Sequence, residues 1–76
     1  MKLTEVKNKT TCIVKEINGG RNLSKRLESL GIRAGCSITK IGSHFWRGPV
    51  TVMQGKTKIA IGHSMAEKII VENHGK

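Results

Sequence analysis

Three histidines, two cysteines and five acids are the residues of this chain that could do catalytic or metal chemistry. An enzyme needs a nucleophile beside a base, a pair of carboxylates, or a metal with an open position. The five acids are scattered, and none pairs with another at helical or strand spacing. His44, His63 and His74 lie 19 and 11 residues apart, with no i,i+4 pair. Cys12 and Cys36 are 24 positions apart, outside any CxxC or cysteine–histidine ligand spacing, and read as reduced, small buried hydrophobes, with a disulfide between them as the alternative. Gly19-Gly20 lacks the strand–G-x-G-x-x-G–helix context of a dinucleotide site, and no Walker A pattern occurs. A dedicated metal site wants three or four ligands with an ordered outer shell. The expectation is a protein with no catalytic residue, no cofactor and no dedicated metal site. A divalent ion would be held only adventitiously, at a surface histidine.

Recognition chemistry is better represented. Phe45 and Trp46 are the chain's only aromatics and stand side by side. Neighbours on extended backbone point opposite ways, so one of the two rings is expected outside the core. Trp is enriched where one partner fills another's pocket. Phe45, Trp46 and the adjoining Arg47 therefore form a candidate contact loop. The competing reading has Phe45 capping the core and Trp46 lying flat on the surface. Fourteen Lys and Arg against five acids leave a net charge of +9, which raises encounter rates with nucleic acid, anionic lipid or an acidic protein face. Arg21, Lys25, Arg26 and Arg33 fall on or beside the first helix, away from its leucine stripe. They are candidates for a surface that lands on an acidic protein or the anionic inner leaflet. The plainer alternative is a solvated helix face.

Nucleic acid is the second reading, since small basic β-barrels often bind it. Single-strand binders stack successive bases on several aromatic platforms, and this chain has two rings and no Tyr. Phosphate-only contact would remain, non-specific and steeply salt-dependent.

The elements that must position these residues are short. Seventy-six residues suit one domain, taken as 1–76 with a frayed tail from about 73. Uninterrupted apolar runs reach only three residues, as at Ile69-Ile70-Val71, against about 20 for a membrane span. Met1 to Lys7 turns polar before a signal-peptide core could form. A cytosolic protein is expected. Strands are predicted at 11–17, 37–41, 50–53 (opened by Pro49), 57–61 and 69–71, with a hairpin turn at Gln54-Gly55-Lys56. A helix is predicted over 22–30. Leu23, Leu27 and Leu30 make its apolar stripe, Asn22 its N-cap, and Gly31 with Ile32 its C-terminal stop. Ser64-Met65-Ala66-Glu67 matches the S-x-x-E capping box and predicts one helical turn. Five short strands should close into a small barrel, with the amphipathic helix plugging one end.

The segment Arg26-Leu27-Glu28-Ser29-Leu30-Gly31-Ile32-Arg33-Ala34-Gly35, running into a strand, resembles a pattern of the FeoA family. That pattern is R-L, two residues, L-G and an aliphatic residue, then P-G. Pro49-Val50-Thr51-Val52, Ile59-Ala60-Ile61, Ala66 and Ile69-Ile70-Val71-Glu72 are similar to its later strands. The resemblance runs from about Leu3 to Glu72. It departs at Ala34, where the family usually has proline, and at His44 to Gly48, which is more aromatic than the common family loop. It implies a mainly β, SH3-like barrel of about five strands, with one helix between the first two and a short helical turn before the last. It also implies a non-enzymatic cytosolic accessory of ferrous-iron uptake, possessing neither the pore nor the nucleotide-hydrolysing part. Such a protein docks on the inner face of a membrane Fe2+ transporter bearing a G-domain and modulates it.

Overall fold

In the computed structural model, residues 1–43 and 48–73 are described. The chain builds a five-stranded antiparallel sheet in the order β4-β3-β2-β1-β5. Its strands are β1 (Thr10–Ile17), β2 (Ser37–Ser43), β3 (Val50–Gln54), β4 (Thr57–Ile61) and β5 (Ile69–Asn73). Bulges between Val14 and Glu16 on β1 and between Lys40 and Gly42 on β2 shift the register. Such insertions bend a strand and increase its twist, which lets so small a sheet coil into an SH3-like barrel. Each strand is as long as predicted or longer at its ends.

Barrel closure is partial. β4 and β5 are the two ends of the sheet and do not pair with each other. The outer edge of β5 is instead covered by the N-terminus: Lys2 bridges to Ile70, and the Val71 N–H donates to the Met1 carbonyl at 2.7 Å. That segment then makes a 3-10 turn at Leu3–Glu5, absent from the sequence reading, and sends Leu3 and Val6 into the core. With Cys12, Val14, Ile38, Val50, Val52, Ile61, Ile69, Val71 and others, they form one contiguous buried cluster.

The helix, α1 (Gly20–Ser29), begins two residues earlier than expected. Asn22 is therefore not its cap. Gly19 holds that position, without a side-chain hydrogen bond, and Asn22 lies inside the first turn. Leu27 is fully buried and Leu23 half-buried, but Leu30 is 41% exposed. Ile32 takes the place expected of Leu30: its N–H donates back to the Leu27 carbonyl at 2.9 Å and its side chain is fully buried. Gly31 makes this return possible at φ 93°, a left-handed conformation that costs an L-residue. The second helical turn, α2 (His63–Ala66), forms where expected but is capped by Gly62, so Ser64 is not the N-cap. Glu67 pairs with His63 at 3.4 Å rather than closing a capping box.

Candidate functional site

The proposed contact loop of Phe45, Trp46 and Arg47 lies outside the described residues, as do His44 and His74. Among the described residues, no group of three His, Cys, Asp or Glu could hold a metal ion. No described helix is long and apolar enough to cross a membrane.

All four basic candidates are exposed, but they do not form one cluster. Arg21 and Lys25 are one turn apart on the outer face of α1, opposite the leucine stripe. Arg33 lies past the end of the helix. Its N–H donates to the Cys36 sulfur at 3.4 Å, and its carbonyl accepts from the Cys36 N–H at 3.1 Å. Arg26 departs from the sequence reading. At about 100° per residue it falls between Asn22 and Leu23 on the helix surface, beside the stripe rather than away from it. There it lines a groove of about 280 Å³ with Gly19, Asn22, Leu23 and Met65.

Two chain crossings set that groove. Leu23 on α1 and Met65 on α2 both pack against the core while keeping a face outward. The end of β1 is tied to the start of β5 by the Asn18 N–H, which donates to the Lys68 carbonyl at 2.7 Å. Gly19 has no side chain at this junction. A Cβ there would sit 2.4 Å from Leu23 Cδ2 and 3.1 Å from Lys68 Cδ, so only glycine lets both side chains close over this end. In sequence, Leu23 signals only an apolar helix stripe and Met65 only a place inside a capping box. Their meeting depends on a packing between distant segments that neither local pattern encodes.

Inside the barrel, Lys40 is the buried charged side chain among the described residues. Lys40 is 3% exposed, and its Nζ donates to the carbonyls of Leu3 (3.3 Å), Thr4 (3.2 Å) and Val6 (2.7 Å). Burial pulls its pKa below the ordinary 10.5, and the Cys12 thiol opposes that to a lesser extent. Cys12 is fully buried. Burial pushes its thiol up, the neighbouring Cys36 adds to this, and Lys40 acts against it. A raised thiol pKa leaves little thiolate at neutral pH, so Cys12 is a packing residue rather than a nucleophile. Both cysteines are free.

A family model of the FeoA domain matches residues 1–73. A protein from Methanocaldococcus jannaschii, named as a candidate Fe(2+) transport protein A, is 39% identical over 61 residues, covering 80% of this chain and 72% of its own. The crystal structure of an iron uptake regulatory protein (FeoA) superposes with a TM-score of 0.84 at 30% identity, covering 95% of this chain and 93% of that one. The solution structure of FeoA from Chlorobium tepidum gives 0.88 at 23%, over 99% and 71%. The repressor ScaR with bound Zn2+ gives 0.87 at 23%, but only 36% of that chain is covered, so the likeness is one of fold to a part of a larger protein. With its whole described sheet inside the matched span, this chain belongs to the FeoA family.

Proposed function

We propose that this protein is a non-enzymatic accessory of ferrous-iron uptake. It works in the cytoplasm, docked on the inner face of a membrane Fe2+ transporter that carries a G-domain, and modulates that transporter. The observation that carries the reading is the family match over residues 1–73, together with a relative named for Fe(2+) transport. The charge of the chain suits the role. A +9 protein is attracted to an anionic inner leaflet and to acidic protein faces, and the outer face of α1 presents Arg21 and Lys25 to either. Phe45, Trp46 and Arg47 are assigned to the same contact on their residue types. Phe45 or Trp46 would supply the desolvated anchor and the cations the steering.

The test is uptake of radiolabelled Fe2+ by cells lacking the protein and complemented with variants. Wild type should restore the rate seen in the parent strain. Arg21→Glu/Lys25→Glu should restore it only in part, at unchanged protein level. Equal uptake with and without the protein would contradict an accessory role in Fe2+ entry.

A further inference from the structure

We propose that the groove between α1 and α2 is a docking site for an acidic, extended segment of a partner protein, which inserts one bulky apolar side chain. The groove has the two chemistries such a segment would use. Its floor is apolar, made by the outward faces of Leu23 and Met65. Arg26 adds a cation to the lining, and the aliphatic stem of the exposed Lys68 passes beside Gly19 at one end. No acid lines it. Glu28 is on the opposite face of α1, and Glu67, next to Lys68 in sequence, lies 3.4 Å from His63 Nε2 and is not in the lining. The one charged side chain in the lining is therefore a cation.

The dimensions select the occupant further. About 280 Å³ takes one large side chain and not a folded element. An apolar anchor between acidic flanks gains from both floor and rim, because an ion pair beside a desolvated contact fixes register and speeds encounter. A nucleic-acid strand would use the cations and leave the floor wet, since no aromatic ring lines it for base stacking. A second copy of this chain brings its own +9 charge against the same cations and is disfavoured. The inference does not depend on which protein supplies the segment.

The test is peptide display. A random peptide library is selected on the wild-type protein, with Arg26→Glu/Lys68→Glu as the counter-target. Both substitutions are at exposed positions, and an unchanged melting temperature checks that the variant is folded. The expected result is enrichment of peptides with several Asp or Glu around a single Leu, Met or Phe. These should shift the amide resonances of Asn22, Leu23, Arg26 and Met65 and bind the variant at least tenfold more weakly. Replacing the apolar residue of a selected peptide by Ala should cost a similar factor. Three results would overturn the proposal: no enrichment on wild type over the variant, selected peptides whose shifts map elsewhere, or concentration-dependent self-association through these residues. Peptide selection needs no transporter, so the groove can fail here while the Fe2+ uptake result stands, and the reverse.

Discussion

Lys40 is the residue whose environment is furthest from what its type suggests. Strand β2 keeps its period of two, so Ile38 and Lys40 point inward while Ile41 points out and is 39% exposed. A lysine at an inward position is tolerated because the N-terminal 3-10 turn ends above it and offers three carbonyls. The ammonium thus fastens the first six residues to the barrel wall. Lys40→Ala leaves those acceptors without their donor and should cost about 1–3 kcal/mol, read by urea denaturation. The charge itself is the unfavourable part of the arrangement. Because burial lowers the pKa in the folded protein, the unfolded chain binds more protons between that lowered value and 10.5, and stability rises with pH across this window. Cys12 acts in the opposite sense, since its raised pKa lets stability fall above 9.0. It is best removed from the comparison. In a Cys12→Ala background, the stability of the Lys40 protein relative to Lys40→Met should increase as pH is raised toward 10.5. A difference that stays flat would contradict a desolvated ammonium.

At the scale of elements, the local patterns were legible and the long-range ones were not. All five strands were placed by β-branched content and turn residues, and α1 by its leucines, because those signals sit within one element. Gly31 was legible as a helix stop for the same reason. Its φ of 93° and a Gln54 Oε1 only 3.0 Å from where a Cβ would stand make Gly31→Ala a test of that stop. It should lower stability by about 1–2 kcal/mol, the usual penalty for a side chain in the left-handed region. Thermal unfolding should register this as a drop of roughly 4 °C or more. The 3-10 turn at Leu3–Glu5 was invisible because it is held by Lys40, thirty-four or more positions away in sequence. Asn22 and Ser64 have the residue types of caps but do not serve as caps. Glycines at 19 and 62 already turn the chain in ahead of them. Of the proposed contact residues, Arg21, Lys25 and Arg33 are exposed as expected. Arg26 acquires its meaning only when α2 brings Met65 across from Leu23.

At the scale of the whole molecule, the described residues share one contiguous core, and the proposed recognition falls to the outside of a chain with a net charge of +9. Among the described residues, the surfaces proposed for recognition are the outer face of α1 and the groove beside it. The direct measurement of the central claim is affinity capture by the tagged protein from detergent-solubilised membranes near physiological salt, with protein and nucleic acid both read in the eluate. Recovery of a large membrane protein bearing a G-domain is expected, reduced several-fold by Trp46→Ala at unchanged melting temperature. An eluate of RNA or DNA that washes away as salt rises, with no such membrane protein, would contradict it.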